Sequence, residues 1–300
     1  MSAAAVARAM AIDTGRQLYD SDATGWQRGL YDDVQATLRA PVVNWIFRTL
    51  TANEPALTRY LWGQLKPVFE TRLCGETCVA YRTAVRDPFD GLPRYRATDL
   101  DLDPWAWREL RGQLRTFDTV VPRLAVAFEL VYRSLHDDPV GTDPRSDETA
   151  TAPLPAWLDG ERGRTPTMAA FDDFDPAVEE TVRAVQAFHG FDEGLPSVYR
   201  CLVQWPDAFA RLWTDLEPHL DSPAFETARA AARDVTVDLV ESTPYVPQLS
   251  PDALRAAGFD DGVVSALRSL FDDFARGPVE TVLPAVPLVA ATVGAGFTGP

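Results

Sequence analysis

The 300-residue sequence contains a single lysine, Lys66, among 28 basic residues. Acidic residues number 44, so the formal net charge is −16 at pH 7. Because phosphate binding needs a cationic stripe and the sequence has none, we expect no nucleic-acid partner. An acidic chain with almost no lysine is typical of halophilic proteins, since high salt screens the repulsion between like charges. An ordinary acidic protein is the alternative.

Cysteine is scarce as well, with Cys74, Cys78 and Cys201 as the three examples. An odd number without the spacing of a disulfide framework favours a reducing compartment, so we expect a cytoplasmic protein. Cys74 and Cys78 would share one face of a helix, but no second cysteine pair or nearby histidine completes a tetrahedral metal site. The sequence therefore predicts neither a metal nor a cofactor.

Long apolar runs are also missing. The N-terminal residues 1–10 are small and apolar but include Arg8, and they are too short for a secretion signal. Residues 282–293 are apolar, yet Pro284 and Pro287 interrupt them and they are too few to cross a bilayer, so they predict a buried closing helix. No helix shows a basic polar face, and we expect no membrane partner.

The sequence does contain a repeated word, Leu-Trp-x-x-Leu-x-Pro, which begins at Leu61 and again 151 positions later at Leu212. Three further matches keep the same order: Arg48-x-Leu50 with Arg200-x-Leu202, Leu102-x-Pro104 with Leu249-x-Pro251, and Thr119-Val120-Val121-Pro122 with Thr281-Val282-Leu283-Pro284. A duplicated unit predicts a pseudo-two-fold molecule whose natural cavity lies between the copies.

A linker separates the copies, because residues 136–175 are rich in Pro, Gly, Asp and Thr. We predict a first helical repeat with an N-terminal leader at 1–135, an acidic linker rich in Pro and Gly at 136–175, and a second helical repeat at 176–300. The two repeats are expected to form one compact body.

Helical periodicity dominates both copies, where apolar residues recur every three or four positions. Pro55 and Pro206 are placed as prolines in the first turn of a helix, and Ser250 before Pro251 predicts an N-cap. Alternating strand patterns are rare, and the best one, at 235–239, lies inside a helical run. These patterns predict an all-α fold, a tandem repeat of two similar helical bundles that form a pseudo-dimer.

Two segments carry a resemblance to a known family: Asp32 to Asn44 followed by Arg48, and Tyr199-Arg200-x-Leu202-x-x-Trp205-Pro206. In this order within a duplicated chain, they resemble the group I 2-haloacid dehalogenases, the DehI family. The resemblance covers both repeats. It implies an all-α pseudo-dimer with its active site between the repeats, and cofactor-free hydrolysis of either enantiomer of a 2-haloalkanoic acid. In that family an aspartate activates the water that displaces the halide directly.

The sequence departs from the family at the position of that aspartate, which is Val198 here and Ile46 in the first copy. A valine cannot accept a proton, so the family mechanism cannot operate from this position. The nearest acids in the sequence are Asp192 and Glu193, in a loop bounded by glycine and proline. Asp192 is a weak substitute, and the catalytic residues are left unknown.

The remaining pocket positions that the resemblance implies come from both repeats: Val42, Asn44 and Trp45 facing Ser197, Val198 and Tyr199. Asn44 offers an amide to a carboxylate, Trp45 an apolar wall and Tyr199 a hydroxyl. For the two aromatic residues, a place in the helical core is the alternative. Arg48 and Arg200 recur at matching positions, and we expect them to form structural salt bridges between the repeats rather than to bind a ligand.

The sequence leaves two functions open. One is a DehI-like 2-haloacid dehalogenase, a hydrolase that displaces halide from a short 2-haloalkanoic acid by direct water attack. The other is a catalytically inactive helical repeat protein that binds a small hydrophobic carboxylic acid or a protein partner. A small carboxylic acid is thus the expected ligand, and a homodimer is compatible with either function.

Overall fold

Helices make up the regular structure of the protein in a computed structural model that describes residues 12–160, 162–170 and 174–296. The described residues contain twelve α-helices: α1 Gly25–Leu38, α2 Trp45–Asn53, α3 Pro55–Phe69, α4 Arg72–Arg86, α5 Pro104–Leu135, α6 Glu179–His189, α7 Ser197–Leu202, α8 Pro206–Leu220, α9 Pro223–Ser242, α10 Pro251–Ala256, α11 Asp261–Arg276 and α12 Val279–Thr292. Two short 3₁₀ helices occupy Ala97–Leu100 and Pro176–Val178. The predicted all-α class is confirmed, while residues 1–11 of the predicted N-terminal leader lie outside the described residues.

Proline begins several helices where the sequence predicted it. Pro55 and Pro206 are the first residues of α3 and α8, which are both 15 residues long. Proline fits there because its ring fixes a helical φ and the first turn has no partner for the missing N–H. Ser250 caps α10 by accepting a hydrogen bond from the amide of Ala253 at 3.2 Å. The predicted helix starts are therefore confirmed, and residues 235–239 lie within α9.

Two clusters of buried apolar residues form the interior, and each draws on both halves of the chain. The first combines α1 to α3 with the C-terminal part of α5 and with α10 and α11. The second combines α6 to α8 with the N-terminal part of α5 and with α12. Each fully buried leucine in these clusters contributes roughly 1.5–3 kcal/mol. The halves therefore cannot separate without exposing both interiors.

Helices α4 and α9 hold the same place in the helix order of the two halves, and they pack along each other more extensively than any other pair of the described helices. The preceding pair, α3 and α8, also shares its length, its initial proline and the backbone of the residue before it. That residue has φ −133° and ψ 69° in Glu54, and φ −131° and ψ 75° in Trp205. The contact between α4 and α9 thus joins the N-terminal and C-terminal parts of the chain.

The segment 136–175 has no α-helix among its described residues, yet side chains and backbone hold it against the helices. The amide of Leu154 donates to the carbonyl of Glu70 at 2.7 Å, and that of Arg72 donates to Ala152 at 2.7 Å. Arg39 donates to the carbonyl of Pro155 at 3.0 Å. The segment therefore packs on the protein as part of the fold.

One buried carboxylate anchors this segment. Asp159 is 3% exposed and lies 2.8 Å from the guanidinium of Arg82 and 2.9 Å from that of Arg123. Burial raises the pKa of Asp159, but Arg123 and Arg82 lower it by more, so the carboxylate is ionised. The pairing joins the segment to α4 and α5.

Candidate functional site

The predicted pocket residues lie at or just before the starts of α2 and α7. Asn44 precedes α2, of which Trp45 is the first residue, and Ser197, Val198 and Tyr199 form the first turn of α7. The side chains of Val42, Val198 and Tyr199 are buried, with Val42 in the first apolar cluster and the other two in the second.

Trp45 forms part of an aromatic wall. Its ring stacks on Phe274 of α11 with a centroid distance of 5.1 Å and an interplanar angle of 23°. Phe274 in turn meets Phe128 of α5 at 5.0 Å, in an edge-to-face arrangement. Aromatic pairs at such distances add roughly 0.5–1.5 kcal/mol beyond their burial. The wall therefore connects α2 to the region between α5 and α11.

Tyr199 belongs to a buried chain of hydrogen bonds. The hydroxyl of Thr281 donates to the carbonyl of Pro278 at 2.9 Å, so it accepts from Nδ1 of His189 at 2.7 Å. Nε2 of His189 is then the acceptor for the hydroxyl of Tyr199, also at 2.7 Å. Burial lowers the pKa of His189 to about 3, with a further contribution from Arg229. The imidazole is neutral, and its tautomer is fixed.

A cavity of about 70 Å³ is bounded by α4 and α5 from the N-terminal part of the chain and by α9, α11 and α12 from the C-terminal part. Its apolar lining comprises Ala125, Phe128, Ala232, Phe274, Ala275, Leu283 and Pro284. Its polar lining comprises Tyr81, Glu129, Arg229, Arg233, Thr236, Arg276 and Glu280. This volume exceeds the roughly 10–15 Å³ that a single water needs, so the cavity can hold more than one water.

The predicted residues border this cavity indirectly. Trp45 stacks on Phe274, which lines it. Tyr199 donates to His189, whose pKa is lowered in part by the charge of Arg229, another lining residue. None of the six predicted residues is itself part of the lining. Their part in ligand binding stays a prediction.

Positive charge exceeds negative charge around the cavity, and one of its two carboxylates is fully engaged. Glu129 accepts hydrogen bonds at 2.9 Å from Nε of Arg133 and from Nη1 of Arg276. Burial raises the pKa of Glu129, but Arg276 and Arg133 lower it by more. A carboxylate that two arginines hold in its ionised form is a weak base.

Glu280 is the other carboxylate of the lining, and its restraint is looser. Its Oε1 atom lies 3.4 Å from Nη1 of Arg233, and its side chain is 34% exposed. Asp192, by contrast, is exposed in the loop before α7 and does not line the cavity. Glu280 is therefore better placed than Asp192 or Glu129 to take a proton from a water in the cavity. Neither the repeat nor the resemblance singled it out.

Among the described residues, Arg48 does not form the salt bridge that the sequence predicted. Arg48 has no carboxylate within 4 Å among the described residues, and its guanidinium lies 5.0 Å over the ring of Tyr19. Arg200 donates from Nε and Nη2 to the carbonyl of Ala169 at 3.0 and 2.8 Å. The prediction is wrong for Arg48, because the acids near it stop short of contact.

Comparison with known proteins bears on both the family and the fold. Residues 41–174 match the family model described as halocarboxylic acid dehydrogenase DehI. That stretch is slightly less than half of the chain and includes α2 to α5. No curated protein matches the sequence.

Three solved structures of a D-2-haloacid dehalogenase are similar to this chain. A mutant in complex with D-2-CPA gives a TM-score of 0.80 at 16% identity, covering 92% of this chain and 95% of that one. The complex with L-LA gives 0.79 at 15% identity, with the same coverage of both chains. A further mutant gives 0.77 at 16% identity, covering 92% and 94%. Over 92% of its length this chain therefore has the all-α fold of those dehalogenase structures, and within it residues 41–174 match the DehI family.

Proposed function

We propose that the whole chain is a member of the DehI family and hydrolyses the carbon–halogen bond of a short 2-haloalkanoic acid. The observation that carries this proposal is the fold, shared over 92% of this chain and 95% of a solved D-2-haloacid dehalogenase. The match of residues 41–174 to the DehI model supports it. The reaction that we propose needs no metal or cofactor.

The cavity between the halves is the binding site in this proposal. Arg229 and Arg233 supply positive charge for the carboxylate of the acid, and Nε of Arg229 is buried without a hydrogen-bond partner. Phe128 and Phe274 face the alkyl group and the halogen. A few placed polar groups in an otherwise apolar cavity are the usual composition of a small-molecule site.

Glu280 is the proton acceptor that we propose in place of the family aspartate. A water bound beside it attacks C2 of the acid from the face opposite the halogen. The new C–O bond forms as the carbon–halogen bond breaks, and the halogen leaves as halide with the bonding electrons. The water proton passes to Glu280, which releases it to solvent, so the products are a 2-hydroxy acid of inverted configuration, halide and a proton.

Bromide release from each enantiomer of 2-bromopropionate tests this proposal, and bromide can be measured by ion chromatography in molar sodium chloride. We expect release by the wild type and a decrease of roughly 10²–10⁴-fold in kcat for Glu280→Gln, because general-base catalysis contributes that much. Glu179→Gln changes an exposed acid of α6 and should retain the wild-type rate. Equal rates in both variants would show that Glu280 is not the base.

The alternative function is a helical protein that binds a small acid without converting it. The replacement of the family acid by Val198, buried in the second apolar cluster, favours this alternative. Binding of propionate without bromide release from either enantiomer would establish it. The experiment thus separates loss of chemistry from loss of the site.

Some finer features belong to the same proposal. We infer that the halves at 1–135 and 176–300 arose by duplication, supported by the matching starts of α3 and α8.

We also infer a cytoplasmic, halophilic protein, supported by the net charge of −16. A homodimer is the oligomeric state that we would test by sedimentation. A melting temperature that does not rise between dilute buffer and molar salt would contradict the halophilic inference.

A further inference from the structure

Tyr81 of α4 is an exception among the buried tyrosines of the described residues. The hydroxyl of Tyr31 donates to the carbonyl of Leu18 at 2.9 Å. That of Tyr199 donates to Nε2 of His189 at 2.7 Å. Tyr81 is 3% exposed, yet its hydroxyl makes no hydrogen bond to any described residue. A buried hydroxyl that has lost its hydration without gaining a partner is costly, and a ligand that accepts from it would remove the cost.

Tyr81 lines the cavity that α4, α5, α9, α11 and α12 enclose. Among the described lining residues, the other uncharged polar side chain is Thr236, whose hydroxyl donates to the carbonyl of Ala232 at 2.9 Å. The remaining polar residues of the lining are arginines and glutamates. Tyr81 is therefore the neutral donor of this cavity that is free to bind a ligand.

The phenol of Tyr81 lies apart from the positive charge of the same cavity. Burial alone raises the pKa of Tyr81, and none of the lining arginines contributes to the shift. A guanidinium close to the hydroxyl would lower that pKa, because it would stabilise the phenolate. The cavity thus has a cationic part and a neutral part, and Tyr81 is a protonated hydrogen-bond donor in the neutral part.

We propose that Tyr81 binds the halogen of the substrate and the halide that leaves from it. This inference rests on the proposed function, in which Arg229 and Arg233 bind the carboxylate. A carbon-bound halogen accepts hydrogen bonds weakly, whereas an ionised acceptor forms stronger ones. The bond from the hydroxyl therefore strengthens as the carbon–halogen bond breaks and the halogen takes the bonding electrons, which lowers the barrier. Tyr81 keeps its proton throughout.

A neutral donor also suits the release of the product. A guanidinium beside the halogen would attract the halide through a full charge, whereas a phenol attracts it through a dipole alone. Phe128 and Phe274 are the aromatic residues of the lining besides Tyr81, and they add no donor. The halide is therefore held by one hydrogen bond and can exchange with solvent. Free chloride should reach the same position and inhibit the reaction.

The variant Tyr81→Phe removes the hydroxyl and keeps the ring. In molar sodium sulfate, which supplies no halide, we expect it to lower kcat for 2-chloropropionate by about 10²-fold, the lower end of the effect of removing one preorganised donor. The decrease for 2-bromopropionate should be smaller, because bromide spreads its charge over a larger ion. Tyr31→Phe is the matched control and should keep the wild-type ratio of the two rates. Ion chromatography measures both halides.

Thermal stability separates a ligand-binding role from a structural one. Without added halide, Tyr81→Phe should melt at the temperature of the wild type or above it, because the variant removes an unpaired hydroxyl. Tyr31→Phe should melt at a lower temperature, since the carbonyl of Leu18 loses its donor. A decrease for Tyr81→Phe as large as that for Tyr31→Phe, with unchanged rates for both haloacids, would show that the hydroxyl is structural and would overturn the proposal.

Two competition experiments locate the bound groups. Propionate should bind Tyr81→Phe as tightly as the wild type in calorimetry, because it has a carboxylate and no halogen. Weaker binding to the variant would assign Tyr81 to the carboxylate and overturn the halide site. Sodium chloride added to the sulfate medium should inhibit the wild type more than Tyr81→Phe, and equal inhibition would likewise count against the site.

Bromide itself is a probe that needs no turnover. Crystals soaked in sodium bromide should show an anomalous peak within hydrogen-bond distance of the Tyr81 hydroxyl, and Tyr81→Phe should lack it. If the wild type releases bromide from 2-bromopropionate but shows neither this peak nor a kinetic effect of Tyr81→Phe, the halide site is wrong and the proposed function stands. A peak without any bromide release would instead refute the proposed catalysis and leave a halide site at Tyr81.

Discussion

Acidification should destabilise the protein through one buried histidine. His189 is 3% exposed and is held neutral between Thr281 and Tyr199. Its pKa in the folded protein is about 3, below the ordinary value of 6.5 that applies to the unfolded chain. Above pH 6.5 both states carry the neutral ring. Below pH 6.5 the histidine of the unfolded chain binds a proton, whereas His189 of the folded protein stays neutral until the pH approaches 3. The free energy of unfolding therefore falls as the pH falls.

The magnitude follows from the difference between the two pKa values. A pH of 5 lies about 1.5 units below the pKa of the unfolded histidine, and each unit corresponds to roughly 1.36 kcal/mol. His189 alone should therefore lower the free energy of unfolding by about 2 kcal/mol between pH 8 and pH 5. This window lies above the titration of ordinary carboxylates, which keeps their contribution small.

Urea unfolding at pH 8 and pH 5 measures this difference. His189→Gln keeps a side-chain acceptor for the hydroxyl of Tyr199 but cannot titrate, so its stability should fall by about 2 kcal/mol less than that of the wild type. His219→Gln carries the same substitution and leaves His189 in place, so it should keep the wild-type difference. If His189→Gln and the wild type lose the same free energy, the buried neutral histidine is not the cause.

Two other substitutions probe the interior. Asp159→Asn removes the charge that pairs with Arg82 and Arg123. We expect it to lower the free energy of unfolding, measured in urea, by about 3–5 kcal/mol. A change below 1 kcal/mol would mean that the segment 136–175 does not depend on the ion pairs of Asp159. Val198→Asp places a carboxylate in the second apolar cluster. We expect the free energy of unfolding to fall by roughly 2–3 kcal/mol at pH 7, and by less at acidic pH, where the carboxylate is protonated. An unchanged stability would show that position 198 is open to water.

The sequence predicted the helices well because their signals are local. A proline at position 55 or 206 acts on the turn that contains it, and Ser250 bonds to an amide three residues away. The same applies to the all-α class, which follows from apolar spacing within each helix. None of these inferences needed to know which helices meet.

The site was harder to predict because its residues are joined only by tertiary contacts. His189 and Thr281 are 92 positions apart, and nothing in either local sequence marks the bond between them. Glu280 lies in an apolar C-terminal helix, where the sequence pattern indicates that an acid lies at the surface. Asp159 was assigned to a linker on composition alone, and composition does not reveal a carboxylate buried against two arginines. That no carboxylate among the described residues contacts Arg48 is likewise visible only once its neighbours are placed.

Helix α5, with 32 residues from Pro104 to Leu135, is part of both apolar clusters. Because one helix contributes buried residues to both clusters, we expect the two clusters to unfold together. Heat should accordingly give one calorimetric peak, whichever end of the molecule loosens first. Substitutions in α5 should therefore affect the packing of both clusters.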